Sequence, residues 1–567
     1  MGVVKRRAPS SDISTVEFDA KTGSSTIEWF FAAKDKYRVV AGTSYPTPWP
    51  YDIQRVSDNT RQVINQIRAR YEAILIRHNI KLHMELQESI SPKNSAKYTD
   101  TLLILTLDQD NTTWLAAADE IQDLIKDAVR NQRQGETRIR VELRNQDEMY
   151  RDFTSVVRSG TFAHTALLRT VEPILKTAMD FCGRNLTYVT WVMRSGPSEV
   201  AEPKPTVMVA VKPGSEDLWH VVDKALKETI EENIGDAVDI ELVPGQVLRD
   251  ASVDLDPRQP KFISKILLPP GSGASIGARS SPDAGSLGPW VYFQRQNGPK
   301  IKGFLTCHHV IARGDMINLI ANDKNGIARQ GRAPLSTITV DYPAPVDARK
   351  TKRDLRDEIS NGYSVGTNQK MLDRIVTLET AGGLGTVMHS SGHDGISGLD
   401  DEQNKMDWAF VRLNNDRNFG QNITEPYDPD DGPVTRAMLG YGSIRVRYDC
   451  PGKRITTIGT PAMDAWMAKR GRSSGVTSGF VSAINASCHW TDGTITREIH
   501  VANTLAQKAI PMLRPGDSGS MMWNERGEWV GLAIGCTSND DSAIITAAEK
   551  VVEDIRSSTL GGRITLE

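Results

Sequence analysis

The chain has 567 residues, 39% of them hydrophobic and 25% charged, with a formal net charge of −3. That length exceeds one ordinary core and predicts about two to four domains, and the balanced charge gives no electrostatic reason to expect a nucleic acid partner. No apolar run is long enough to span a bilayer, so no membrane association is expected.

Met1 to Pro9 lacks the apolar stretch of a secretory signal. The cysteines, Cys182, Cys307, Cys450, Cys488 and Cys536, are odd in number and scattered, which argues against a disulfide framework. Both features predict a cytoplasmic, intracellular protein.

Residues 1–49 read as an N-terminal segment. Two α/β units follow, over residues 50–148 and 149–268. In the first, Thr101 to Leu107 is an apolar strand-like run, Trp114 opens a helical pattern to about Val129, and Ile139 to Leu143 alternates as a strand. In the second, Thr206 to Val211, Trp219, a helical pattern to Ile234 and Val238 to Leu242 repeat that order. Thr101 and Thr206 are separated by the same interval as Trp114 and Trp219. Helical patterns (Tyr71 to His78, Val171 to Cys182) and further strands (Ile80 to Leu86, Leu186 to Met193) precede each copy. The expectation is an α-β-β-α-β unit used twice, an α/β (α+β) tandem repeat region. No glycine-rich phosphate loop or metal-spaced cluster occurs there. A protein partner bound through residues 50–268, or restraint of the second half, are the natural roles.

Pro269-Pro270-Gly271-Ser272-Gly273 begins a stretch to Gly288 that reads as a linker, 269–288. From 289 to 567 short strand-like runs alternate with turn residues: Trp290 to Phe293, Gly303 to Thr306, Ile455 to Ile458, Gly479 to Ser482 and Trp529 to Ile534. Such spacing predicts an antiparallel barrel or sandwich. Thr546 to Ile555 has helical spacing.

Three segments in this half carry chemistry. Gly516-Asp517-Ser518-Gly519-Ser520 offers a hydroxyl in a turn flexible enough to gather the Gly516 and Ser518 N–H groups into an oxyanion hole. Leu305-Thr306-Cys307-His308-His309-Val310-Ile311 offers a base, and Asp407, opening the alternating run to Leu413, offers a carboxylate to orient it. The pair His389 and His393 has metal-like spacing, but no metalloprotease glutamate accompanies it and Gly392 disfavours a helix, so a polar loop is expected. No metal or cofactor is required.

These segments, with Gly527 to Gly535, resemble the trypsin-like (chymotrypsin-fold) serine peptidases over about residues 275 to 567. The order His, Asp, Ser agrees with that family. The resemblance implies an all-β double barrel with a C-terminal helix. It implies catalytic His309, Asp407 and Ser518, an oxyanion hole from Gly516 and Ser518, and a protein or peptide substrate. It selects His309 because known sites place the histidine directly before an apolar pair; His308 is then expected as a surface loop residue. Ser520 looks more like the glutamyl-endopeptidase branch. The primary pocket is expected at Met512, Leu513, Ala533, Ile534 and Gly535, all uncharged, which favours a small or apolar substrate side chain. The long interval from His309 to Asp407 predicts insertions within Asp323 to Gly398. No cleavage site that would free an Ile-Val N-terminus is evident. The competing expectation is a pseudoprotease, with the barrel as an interaction scaffold.

Overall fold

The computed structural model describes residues 23–42, 46–48, 51–92, 98–131, 138–145, 148, 153–195, 203–249, 266–394, 398–400, 402, 404–425, 450–502, 512–539 and 542–567. The chain divides into two compact units, Met1–Phe153 with Thr165–Gln246, and Thr154–His164 with Val247–Glu567.

The first unit contains two sheets. One has the order β1-β5-β4-β3-β2, from β1 (Arg38–Val40), β2 (Tyr51–Arg55), β3 (Leu82–Pro92), β4 (Thr99–Thr106) and β5 (Ile139–Arg144). Helices α1 (Asp58–Arg77) and α2 (Trp114–Asn131) accompany it. Ser57 caps α1, its Oγ accepting from the Thr60 N–H at 3.1 Å. Val63, Ile67 and Tyr71 recur every four residues, so one face of α1 meets Leu102, Ile104, Trp114 and Ile121 in the core. The other sheet contains β6 (Leu186–Ser195), β7 (Lys204–Val211) and β8 (Asp239–Pro244), with α3 (Phe162–Cys182) and α4 (Trp219–Ile234).

The pairing senses of these sheets match. β3 and β6 run antiparallel to β4 and β7, which run parallel to β5 and β8. Each parallel pair is joined through a helix that opens on a buried tryptophan, Trp114 or Trp219. Within the range expected as an N-terminal segment, Arg38–Val40 extends the first sheet as β1 beside β5. There Glu142 lies between Arg38 and Arg144, all buried. Burial raises the Glu142 pKa, and the two guanidinium groups more than reverse this, to about 2.

The second unit is built on two antiparallel sheet systems. The first has the order β11-β10-β14-β15-β16-β13-β12-β24. Its strands are β10 (Ser275–Ala278), β11 (Gly285–Ser286), β12 (Trp290–Gln294), β13 (Lys300–Thr306), β14 (Thr339–Asp341), β15 (Gly385–Ser390), β16 (Ala409–Leu413) and β24 (Arg563–Leu566). The second is a closed ring, β17-β18-β20-β23-β22-β21 and back to β17. These are β17 (Trp466–Gly471), β18 (Gly475–Val481), β20 (Ile495–Ala502), β21 (Met521–Asn524), β22 (Trp529–Thr537) and β23 (Ala543–Ala547). Closure removes the sheet's edges. Two further strands attach outside the ring: β19 (Ala486–His489) on β20, and β9 (Val247–Leu248) on β22. A helix, Ala548–Ser558, follows β23 and buries Val551 and Ile555.

Two expectations change here. Residues 269–288 are not a bare linker, because β10 and β11 are buried within the first barrel. Their glycines serve close packing: a Cβ on Gly288 would stand 2.5 Å from the Gly519 carbonyl oxygen. The unit is also not wholly β, since helices Pro345–Ser360 and Val365–Thr380 lie between β14 and β15 and lengthen the interval from His309 to Asp407.

Candidate active site

Adjacent strand ends bring the first two groups together. His309 sits in the short helix His308–Ala312, directly after β13. Asp407 precedes β16, and β16 pairs with β13 through Thr306–Ala409 and Leu305–Phe410. His309 Nδ1 lies 2.5 Å from Asp407 Oδ2, while Asp407 Oδ1 accepts from the His309 backbone N–H at 3.0 Å. Asp407 is 1% exposed. Burial pushes its carboxyl pKa up, and the His309 imidazole more than offsets that, leaving it well below the carboxylate range. An ionised Asp407 places the imidazole proton on Nδ1 and makes Nε2 an acceptor. Nε2 is buried and has no hydrogen-bond partner among the described residues.

Ser518 lies in the turn before β21 and is 1% exposed. Gly516 and Gly519 flank it at φ 92° and 89°, backbone open to glycine and strained for other residues. The loop is pinned on several sides. Ser518 O accepts from the Ser286 N–H at 2.9 Å, Gly519 N–H donates to Ala533 O at 2.9 Å, and Ala533 N–H donates to Ser520 O at 3.1 Å. The Gly516 and Ser518 N–H groups donate to nothing among the described residues. Two free donors beside a hydroxyl are what a developing oxyanion needs.

Asp517 points away from this opening into a buried network. Lys469 Nζ is 2.8 Å from Asp517 Oδ2, both side chains 0% exposed. Asp517 Oδ1 accepts from the Ser473 and Ser474 N–H groups at 2.7 and 3.0 Å, and Oδ2 from the Arg514 N–H at 3.0 Å. Burial raises the Asp517 pKa, and Lys469 with these donors brings it below the ordinary value. Burial likewise lowers the Lys469 pKa, with Asp517 opposing. Sequence reasoning missed Lys469. The available signal was a lysine inside the otherwise apolar run Trp466-Met467-Ala468.

His308 is a correction: it is fully buried, not a surface loop residue. Consecutive helical side chains diverge, so His309 turns to Asp407 while His308 turns inward. Its Nδ1 lies 2.9 Å from Ser390 Oγ and its Nε2 2.9 Å from Asp323 Oδ1. His389 and His393 do not form a polar loop either. His389 is in β15 and buried, and His393 Nδ1 lies 3.5 Å from Asp323 Oδ1. Burial lowers the His393 pKa to about 2, helped by the Arg249 and His308 charges. Among the described residues, two groups bring ligand-type atoms within 4.8 Å of one another: Cys307, His309 and Asp407, and His308, Asp323 and His393. In each, a histidine–aspartate hydrogen bond already engages the carboxylate, so a metal would have to displace it.

The five residues expected to line the primary pocket are mostly interior. Met512, Leu513 and Ala533 belong to the core of the second barrel, and Ile534 to the core shared with the first. Gly535 faces Val247 and Leu248. A surface pocket of about 610 Å³, lined by Arg295, Arg332, His389 and Arg412 among others, includes none of His309, Asp407 and Ser518. No described helix is long and apolar enough to cross a membrane.

No protein-family model matches the chain, and no curated protein matches it. Solved structures similar to it include a glutamic acid specific serine protease that uses a histidine triad in substrate binding. It is 14% identical, with 52% of this chain and 99% of that one covered and a TM-score of 0.25. Cellulomonas bogoriensis chymotrypsin is 14% identical, covering 52% and 98%, TM-score 0.25. Thermobifida fusca protease A is 12% identical, covering 52% and 98%, TM-score 0.25. The structural neighbours are thus chymotrypsin-like serine proteases, each spanned almost end to end by about half of this chain.

Proposed function

We propose that the chain is a serine endopeptidase acting on protein or peptide substrates. His309 Nε2 removes the Ser518 proton as Oγ attacks the scissile carbonyl, then returns it to the leaving amine. Asp407 holds the tautomer and stabilises the imidazolium. The Gly516 and Ser518 N–H groups receive the oxyanion, and water completes the cycle on the acyl-enzyme. Residues 50–268 are assigned to regulation or partner binding.

The observation that carries this reading is the Asp407-bound imidazole with its Nε2 uncommitted. A second reading, a barrel used as a binding scaffold, is favoured by one fact: no hydrogen bond joins His309 Nε2 to Ser518. Catalytic hydrogen bonds are often long in unliganded enzymes, so the first reading is preferred. A fluorophosphonate probe decides between them. Wild type should label and Ser518→Ala should not, with peptide hydrolysis falling by roughly 10⁶-fold in the variant. Absence of labelling in folded wild type would establish the scaffold.

A further inference from the structure

One edge of β22 is covered in three successive ways. β21 pairs with it as far as Met521–Leu532. The Ser518 loop takes over at Ala533, through the Gly519 N–H to Ala533 O and Ala533 N–H to Ser520 O bonds. Beyond the loop, where that edge would lie bare, β9 continues it antiparallel, Leu248 opposite Cys536 and Val247 opposite Thr537. The next residue toward the loop is Arg249, whose guanidinium carbon stands 4.4 Å from the centre of the Trp490 ring. Its charge reaches the catalytic region, contributing to the field at Asp407, His393 and Cys307.

We propose that Val247, Leu248 and Arg249 act as a pseudosubstrate strand, occupying in cis the β22 edge on which an extended peptide substrate would dock. The assignment rests on the serine-endopeptidase reading of the neighbouring site. An open strand edge beside a nucleophile is a natural dock for an extended peptide, because main-chain hydrogen bonds supply affinity whatever the sequence. Gly535 makes the fit: a Cβ there would stand 3.0 Å from both Leu248 O and Val247 Cγ1, and 3.4 Å from Arg249 Cγ. Trp490 supplies selectivity, since a guanidinium over an indole face is attracted to it. The ligand class is therefore an extended peptide with an aliphatic residue followed by a basic one. Tethering gives the segment a high effective concentration. Its grip is still incomplete: Arg249 Nη1 is buried without a hydrogen-bond partner among the described residues, which leaves it displaceable.

The test uses the full chain, its Leu248→Pro and Arg249→Ala variants, and three readouts. Leu248→Pro removes a main-chain donor; Arg249→Ala removes the Trp490 contact and the Arg249 charge and keeps the backbone, so one variant survives if the other misfolds. Each variant should cleave a peptide library about tenfold faster than wild type at low substrate, the size of one lost anchoring contact. Labelling of Ser518 by a small fluorophosphonate should stay unchanged in Leu248→Pro, which keeps the Arg249 charge. A fluorescent peptide of residues 244–249 should bind the variants and not wild type. Equal cleavage with equal labelling in all three proteins would overturn the pseudosubstrate while leaving the protease reading intact. No labelling in any protein would overturn the protease reading instead. The peptide then judges the strand alone: variant-selective binding supports it, and binding to all or to none overturns it.

Discussion

Asp407 and Asp517 are both fully buried carboxylates in the second unit, yet the groups around them differ in kind. Asp407 faces an imidazole whose far nitrogen is uncommitted among the described residues. Asp517 faces an ammonium, three backbone N–H groups and the Ser474 hydroxyl, and is saturated. The first arrangement leaves a proton able to move. The second fixes a loop. An uncommitted acceptor suits proton transfer, and a saturated carboxylate suits rigidity.

That contrast can be broken at either end. Asp407→Asn should leave the fold intact and lower kcat by about 10⁴-fold, because the amide no longer selects the Nδ1–H tautomer. Unchanged peptide hydrolysis would remove Asp407 from the mechanism. Lys469→Met leaves Asp517 buried without its cation, a change that costs about 3–5 kcal/mol in denaturant unfolding where one partner of a buried pair is lost. Ser518 labelling should fall with it, since the loop loses its anchor. Lys469→Met combined with Asp517→Asn should recover stability; a double variant no more stable than the single one would show that the pair is not the anchor.

Glu498 sharpens the comparison as a buried carboxylate with no cation in direct contact among the described residues. Burial raises its pKa to about 7, and the hydrogen bonds from Thr496 and the Lys405 N–H, with the Lys405 charge, offset only part of this. A folded pKa above the unfolded value of 4.5 means the folded protein binds the extra proton. That contribution is complete below about 4.5 and disappears as pH climbs through about 7. Glu498→Gln should therefore match wild type near pH 5 and melt higher at pH 8, by about 2–4 °C for each kcal/mol recovered. A wild-type advantage at pH 8 would reverse the assignment.

The His309–Asp407 pairing and the tight turn at Ser518 could be anticipated because their groups lie in short, locally distinctive segments. Asp407 stands two residues before the strand Ala409–Leu413, and Ser518 sits between Gly516 and Gly519, whose positive φ the turn requires. The supporting groups were less legible. Asp323 lies in the short helix Leu319–Asn325, where nothing in the local sequence marks it out, and only the fold turns it toward His308. Lys469 counters Asp517 from a strand far away in the chain. The stretch 269–288 looked like a linker because close packing of backbones and flexibility both call for glycine, and composition cannot separate the two. Val247-Leu248 is too short to register as a strand, since two residues carry no periodicity.

The Lys469–Asp517 pair also bears on how the Gly516–Ser520 turn takes shape. Its cation is a side chain encoded within the barrel, available as soon as β17 and the Gly516–Ser520 turn come together. The group that neutralises Asp517 is thus an internal side chain, so the geometry of the turn is tied to the seating of the barrel strand that carries it.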